Sequence, residues 1–206
     1  SFVPETEEKV ELTKFEITNT SDKAQTITST VAIPMYARSA SNIRDHRHVT
    51  SLLHRTFTVK NGIMIYPTLT FDERGHNKNK IFYGALAKEE VNGEMVSPVS
   101  FCPVTEEFIG RGGNFENPYY VVKNQPLPYK AGEEVDGYET VAAIRFADCT
   151  LEPGETRTYI VALGYGESEA EITELSKKYL IKKHFDKYLE ETKEFWQEKI
   201  NVSYNS

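Results

Sequence analysis

Polar and apolar residues alternate in short runs along most of the chain. Residues 9–18 read KVELTKFEIT, and residues 26–33 form a second alternating run. A period of two is typical of half-buried β-strands. The stretch 19–23 between these runs is rich in turn residues, so the pattern predicts a hairpin. Pro34 is expected to end its second strand or to place that strand at a sheet edge.

Turn signals divide the following residues into further strands. Asn61-Gly62 and Asn92-Gly93 are dipeptides that strongly favour tight hairpin turns. About eight to ten short strands separated by turns favour a mainly β fold, an antiparallel β-sandwich rather than a barrel. The remaining strand-like runs are 56–60, 63–71, 81–87, 99–104, 140–146 and 157–163, with polar connections at 72–80 and 123–139.

The apolar period becomes helical after Gly166. Ser168 and Glu171 have the spacing of a capping box, which satisfies free amides at the start of a helix. A second helix is predicted from about His184, and its apolar residues form one seam. We therefore predict a β-sandwich domain over residues 1–166 and a helical extension over 167–206. The seam consists of Phe185, Leu189, Thr192, Phe195 or Trp196, and Ile200.

Composition narrows the classes of partner. The chain has 206 residues, 39% of them hydrophobic, and a formal net charge of -7. This acidic balance argues against a nucleic-acid backbone as partner. No apolar run approaches the roughly 18 residues of a membrane span, so no membrane partner is expected. The opening residues lack the features of a secretory signal, so a cytoplasmic location is expected.

The chain contains two cysteines, Cys102 and Cys149. They lie far apart in sequence and show no metal-ligand spacing, so they are predicted to be buried free thiols in a reducing compartment. A single disulfide between them is the alternative that the spacing leaves open.

Residues 38–55 concentrate directional polar groups between two predicted strands. This stretch holds four arginines, three histidines, one aspartate and one asparagine. Such side chains suit the recognition of hydroxyls or anions. The alternative is an ordinary polar loop that contains a satisfied Arg–Asp pair. The candidate binding residues are Asn42, Arg44, Asp45, Arg47 and His48.

Other kinds of site find little support. His46 and His48 have the spacing of a zinc-binding pair on a strand, but Arg44 and Arg47 beside them would repel a divalent cation, so no metal site is predicted. No serine lies in a Gly-x-Ser-x-Gly motif.

Two further features have some of the marks of a site. The Glu106-Glu107 doublet resembles a catalytic carboxylate pair, as does Asp72-Glu73, but neighbours on a strand point to opposite faces. The glycine-rich stretch 108–118 has no helical pattern directly behind it, which argues against a nucleotide-binding loop. We therefore predict no catalytic residues.

Three motifs carry a family resemblance. Residues 15–22, 44–55 and 108–113 resemble the β-sandwich domain of family 94 glycoside phosphorylases, which include cellobiose and chitobiose phosphorylases. Among these, the 1,2-β-oligoglucan phosphorylases are the nearest in resemblance. Residues 151–155 and 195–200 resemble the family's passage from the sandwich into a helical linker. The resemblance therefore implies a supersandwich-like fold.

The family context implies a supporting role. Members are inverting enzymes that cleave β-glucosidic bonds with inorganic phosphate as co-substrate, and their acid and phosphate site lie in an (α/α)6 barrel. That barrel has no counterpart here, so this chain is expected to be inactive alone and to need no cofactor. In family dimers, sandwich loops reach the partner subunit's active site. The expected partners are a β-linked glucan oligosaccharide, a catalytic (α/α)6 domain and a second copy of the chain.

A different class of function remains open. The chain could be a free-standing carbohydrate-binding or structural module that catalyses nothing. The two hypotheses differ at the helical seam around Phe185, Leu189 and Trp196. A free-standing module should bury this seam internally, whereas part of a larger enzyme should leave it open or covered by another subunit.

Overall fold

The computed structural model describes residues 1–4, 9–37, 51–72 and 75–200. These residues form fourteen β-strands and four helices. The strands are β1 (Lys9–Thr18), β2 (Gln25–Ile27), β3 (Thr30–Met35), β4 (His54–Val59), β5 (Gly62–Pro67), β6 (Leu69–Asp72), β7 (Gly75–Lys78), β8 (Phe82–Val91), β9 (Glu94–Val96), β10 (Ser100–Val104), β11 (Glu134–Asp136), β12 (Thr140–Arg145), β13 (Cys149–Leu151) and β14 (Thr156–Gly166). The helices are α1 (Thr105–Ile109), α2 (Tyr119–Val122), α3 (Glu169–Tyr179) and α4 (Lys182–Lys199).

Two antiparallel sheets form a sandwich, which confirms the predicted fold class. The larger sheet has the order β1-β14-β8-β5-β4-β11, with β9 paired to β8, and the smaller sheet has the order β10-β12-β3. Ile63, Ile65 and Ala85 of the larger sheet pack against Ala142 and Ile144 of the smaller one. These side chains recur at every second position, as the period of a strand requires.

Helices α3 and α4 cover the other face of the larger sheet. Met64, Leu86 and Ile160 point away from the smaller sheet and pack on Ile172 and Leu175 of α3. The central strands are therefore apolar on both faces, and the sandwich has a third, helical layer. None of the helices in the described ranges has the length and apolarity needed to span a membrane.

Two glycines allow α3 to lie close to the sheet. Gly84 of β8 and Gly164 of β14 are opposite each other in the ladder. A Cβ atom at Gly84 would overlap Cγ2 of Ile172, and one at Gly164 would overlap Cδ1 of Leu175. The missing side chains therefore set the depth at which α3 packs.

The capping box at the start of α3 is confirmed. The Ser168 hydroxyl accepts a hydrogen bond from the Glu171 amide at 3.2 Å. The Glu171 carboxylate in turn accepts one from the amide of Glu167 at 2.9 Å. Two otherwise free amides at the helix start are thus satisfied, which fixes where α3 leaves the sheet.

The predicted hairpin between residues 9–18 and 26–33 is wrong. β1 pairs with β14 in the larger sheet, whereas β3 pairs with β12 in the smaller one. The Asn19 amide group donates hydrogen bonds to the carbonyls of Lys23 and Leu151, both at 2.8 Å. These bonds tie the turn to β13, so it carries the chain from one sheet to the other.

The other turn predictions have mixed outcomes. The Asn61-Gly62 hairpin is confirmed by the pairing of β4 with β5. The Asn92-Gly93 turn is also confirmed, and its two residues have φ angles of 52° and 86°, as a tight hairpin turn requires. Pro34 lies in β3, the outermost strand of the smaller sheet as described, so its predicted edge position is confirmed.

Two predicted connections contain strands. The predicted connection at 72–80 contains β7, which forms a hairpin with β6. The predicted connection at 123–139 contains β11, which pairs with β4. The predicted single strand at 63–71 is split because β5 ends at Pro67, which has no amide to donate to a ladder. The polar composition of both stretches concealed these short strands.

The apolar seam of α4 is half covered. Phe185 is 3% exposed, and its ring contacts that of Phe2 at a centroid distance of 5.2 Å. Farther along the helix, Trp196 is 52% exposed and Ile200, just beyond α4, is 59% exposed. The seam is therefore buried in its first half and exposed in its second. The buried half is as expected for a free-standing module, and the exposed half is as expected for part of a larger enzyme.

Both cysteines are free thiols, as predicted. Cys102 is buried, and burial raises the pKa of its thiol to about 12. Cys149 is only half-buried, so the prediction of burial is wrong for this residue. It lies on β13, which pairs with β2 outside the two main sheets and is therefore not covered on both faces.

We expect Gly84→Ala to lower the free energy of unfolding by about 1–3 kcal/mol, because the added methyl group overpacks the contact with α3. Urea unfolding monitored by circular dichroism measures this change. Ile172→Leu removes the Cγ2 branch and should restore part of the loss, whereas Ile172→Val keeps that branch and should not. A neutral or stabilising Gly84→Ala change would contradict this account.

We expect Ellman's reagent to label Cys149 in the native protein and Cys102 only after unfolding. At pH 8, a thiol with a pKa of about 12 is ionised in only about one molecule in ten thousand, and Cys102 is also shielded. Cys149→Ser provides the matched control, since it should show no native labelling. Prompt reaction of that variant would overturn the prediction.

Candidate functional site

The five residues predicted to bind a ligand, at positions 42, 44, 45, 47 and 48, lie outside the described residues. Their predicted role stays a prediction. The structure does describe the residues on either side of this segment. Ala37 follows β3, Ser51 precedes β4, and both are buried.

These flanking residues lie at one end of the sandwich, which we call the loop end. Met35 at the end of β3 pairs with Thr140 at the start of β12. The Thr140 hydroxyl lies 3.0 Å from that of Thr56 in β4, which links the two sheets there. The backbone carbonyl of His54, at the start of β4, accepts a hydrogen bond from the amide of Gly137 at 3.0 Å. The loop end thus gathers the termini of strands from both sheets.

An open groove of about 480 Å³ lies at the loop end, on the outer side of the smaller sheet. It is formed where α1, α2 and the turn before β12 meet. We call it the arginine groove, after the arginine at its rim. Its lining residues are Val104, Glu106, Glu107, Gly110, Arg111, Tyr119, Tyr120, Pro128 and Tyr138.

Helix α1 brings two carboxylates to the arginine groove. Phe108 is fully buried against Leu127 and Val141, which anchors the short helix on the smaller sheet. Glu106 and Glu107 remain exposed and both line the groove. The expectation that this doublet lies on a strand with opposed side chains is therefore wrong, because residues 105–109 are helical.

The glycine-rich turn positions the arginine. Gly110 ends α1 with a φ of 83°, and its amide donates to the Glu106 carbonyl at 3.0 Å. A Cβ at Gly110 would lie 2.8 Å from that of Tyr119, so the glycine also gives this tyrosine room. Arg111 follows at the exposed tip of the turn. Contrary to expectation, a helix does follow the stretch, but α2 is only four residues long.

Arg111 is available to a ligand. Within the described part of the chain it forms no hydrogen bond or ion pair, and its side chain is exposed. A guanidinium group carries five N–H donors in a fixed fork. Tyr119 and Tyr138 beside it are 43% and 55% exposed. The groove therefore combines forked donors, carboxylate acceptors and open aromatic rings.

A partly buried tyrosine, Tyr129, lies beside Glu107 of this groove. Burial raises the pKa of the Tyr129 phenol, and the neighbouring carboxylate of Glu107 raises it further. The neutral phenol is thus strongly favoured in the folded protein. Burial likewise raises the pKa of Tyr120, which lines the groove. Tyr120 and the neighbouring Tyr129 therefore stay uncharged, while Glu106, Glu107 and Arg111 are the charged residues of the groove.

This arrangement suits a polyhydroxylated ligand. Hydroxyl groups can accept from the arginine fork and donate to the carboxylates, and the apolar face of a sugar ring can stack on tyrosine. Elsewhere, no group of three or more His, Cys, Asp or Glu side chains among the described residues is placed to hold a metal ion.

A family model described as "Glycosyl hydrolase 94, supersandwich domain" matches residues 1–181. The chain belongs to glycosyl hydrolase family 94. The predicted family 94 resemblance is thereby confirmed, and the supersandwich match spans both sheets and α3. The nearer likeness to 1,2-β-oligoglucan phosphorylases stays a prediction. No curated protein matches the chain.

The sequence offered only a partial signal for the arginine groove. Residues 108–113 carry one of the family 94 motifs, but the lack of a helical pattern directly behind them argues only against a nucleotide-binding loop. An arginine between glycines, followed by Tyr119 and Tyr120, is the local signal that favours a site. Tyr138 could not be added from local sequence, because it reaches the groove only through the pairing that fixes β11 and β12.

We expect protein stability to fall as the pH rises above about 10, the pKa of tyrosine in the unfolded chain. The folded pKa of Tyr129 is raised, so its stabilising contribution is full below pH 10 and is lost toward higher pH. Tyr129→Phe should flatten this decline, and Tyr119→Phe should leave it steep. Urea midpoints measured between pH 8 and pH 11 test this, and an equally steep decline in Tyr129→Phe would contradict it.

Proposed function

We propose that this chain is a non-catalytic, sugar-positioning domain of a family 94 phosphorylase that acts on β-linked glucans. The observation that carries the proposal is the arginine groove at the loop end, with two carboxylates, two exposed tyrosines and a guanidinium that no described residue pairs with. The match to the supersandwich domain of family 94 supports a non-catalytic role for this chain.

The groove would act by orientation. Arg111 would donate to sugar hydroxyls, Glu106 and Glu107 would accept from others, and Tyr119 would pack on the ring face. Holding a sugar in one orientation lowers the entropic cost of the reaction without any proton transfer by this domain. Proton donation and the binding of inorganic phosphate, the co-substrate, would belong to an (α/α)6 catalytic domain.

The segment with the predicted sugar contacts would add further sugar contacts at the loop end. We propose that Asn42, Arg44, Asp45, Arg47 and His48 face a sugar across the subunit boundary of a homodimer. Asp45 has an arginine on each side in the sequence, so one ion pair can shape the segment while a second guanidinium contacts the ligand. The position of the flanking residues Ala37 and Ser51 at the loop end supports this assignment.

The open half of the α4 seam supports a neighbouring domain. Trp196 and Ile200 form an exposed apolar surface, and such surfaces commonly mark protein contacts. We propose that the helical extension over residues 167–206 leads toward the catalytic domain. The buried Phe185 favours the alternative, a free-standing carbohydrate-binding module that folds without a partner.

We expect Arg111→Ala to weaken sugar binding roughly 5- to 150-fold, the effect of leaving polar partners unsatisfied by about 1–3 kcal/mol. Its melting temperature should not change, since the side chain is exposed and forms no ion pair or hydrogen bond with described residues. Titration calorimetry with a β-linked glucose disaccharide measures the affinity. Arg111→Lys keeps the positive charge but removes the forked donors, so it tests whether the fork is needed. Lys123→Ala is a control for the loss of an exposed positive charge nearby. Unchanged affinity in Arg111→Ala would overturn the groove assignment.

The same titration applied to Arg47→Ala tests the second part of the surface. If Arg47 recognises sugar, affinity should fall to a similar extent while the melting temperature stays constant, since exposed pairs contribute at most about 1 kcal/mol. Lower stability with unaltered sugar affinity would show that Arg47 only braces the fold.

A further inference from the structure

A second depression opens at the loop end, on the other side of the sandwich from the arginine groove. It has a volume of about 440 Å³ and lies between the end of β3 and the paired strands β1, β14 and β8. Tyr36, Tyr83 and Tyr165 line it, and we call it the tyrosine cleft. β3 is the outer strand of the smaller sheet on this side, and β10, beside the arginine groove, is the outer strand on the other.

The strand register places the aromatic rings. Tyr83 and Tyr165 are opposite each other in the β8–β14 ladder, and their ring centroids are 6.2 Å apart at an interplanar angle of 42°. Tyr165 is 47% exposed and Tyr36, which follows β3, is 50% exposed. Two half-exposed rings thus flank a partly buried third one at a concave surface.

The charges around the tyrosine cleft restrict the class of ligand. Lys9 and Glu11 lie at its rim. An adjoining depression shares Lys9 and Tyr165 and adds three carboxylates and one ammonium group, those of Glu167, Glu171, Glu174 and Lys178. Carboxylates dominate this edge, which disfavours an anionic ligand and suits a neutral one whose hydroxyls donate hydrogen bonds. The half-exposed rings of Tyr36 and Tyr165 lie near the charged groups of Lys9 and Glu11. This combination matches the alternating apolar and polar faces of a sugar chain.

We propose that the tyrosine cleft is a second sugar subsite, which binds units of a β-linked glucan beyond those held at the arginine groove. The ligand class rests on the proposed function, whereas the location rests on the cleft itself. No described residue lines both depressions, so the two subsites can be disabled one at a time. Binding at two places along one chain would favour longer glucans over disaccharides, because the second contact is intramolecular.

The test compares a β-linked glucose tetrasaccharide with the matching disaccharide, using protein that carries carbon-13 in its tyrosine rings. We expect the tetrasaccharide to shift the ring resonances of Tyr36 and Tyr165, and the disaccharide to leave them in place. Tyr165→Ala should weaken tetrasaccharide binding about three- to tenfold and disaccharide binding not at all, as expected for loss of one stacked ring. Tyr165→Phe keeps the ring and should retain most of the affinity. Tyr36→Ala provides a second variant if Tyr165→Ala does not fold.

The outcomes separate the two proposals. Tetrasaccharide shifts at Tyr119 and Tyr138 without shifts at Tyr36 and Tyr165 would overturn the second subsite and leave the arginine groove standing. Shifts at the tyrosine cleft that persist in Arg111→Ala would support the cleft even if the groove failed. Equal losses of tetrasaccharide and disaccharide affinity in Tyr165→Ala would also overturn the proposal, and so would a complete absence of shifts at the cleft tyrosines.

Discussion

The close contact between α3 and the larger sheet is the constraint on which the rest of the structure depends. It exists because Gly84 and Gly164 meet in one ladder and leave no side chain under Ile172 and Leu175. The helix then covers the apolar outer face of β8 and β14. With that face covered, the same two strands bury their other face against the smaller sheet. The larger sheet is therefore the middle of three layers, with the helices on one side and the smaller sheet on the other.

The same register fixes the geometry of the loop end. Strands of both sheets begin or end there, and their backbone ladders bring residues from distant parts of the chain side by side. Tyr83 and Tyr165 are neighbours for this reason, and Tyr138 reaches the arginine groove for the same reason. A rigid sandwich that presents polar and aromatic side chains from its connections is well suited to hold a ligand in one orientation.

The charge distribution agrees with a role in sugar binding rather than in phosphate binding. The chain carries a formal net charge of -7, and Glu106 and Glu107 accompany Arg111 at the groove. Such surroundings weaken the attraction of a single guanidinium for an anion but supply acceptors for hydroxyl groups. This fits the proposed division in which phosphate and the proton donor belong to another domain.

The sequence by itself determined the local structure of this protein. Alternation predicted β1 and the central strands, Asn-Gly dipeptides predicted two turns, and Ser168 with Glu171 predicted the start of α3, because each depends only on neighbouring residues. Only the tertiary structure decided how strands that are far apart in sequence pair. The failed hairpin shows why: Asn19 bonds to Leu151, far along the chain, and so carries β1 and β3 into different sheets. The tertiary structure also decided the arginine groove and the tyrosine cleft. Their side chains meet only through long-range strand pairing, which no local pattern specifies.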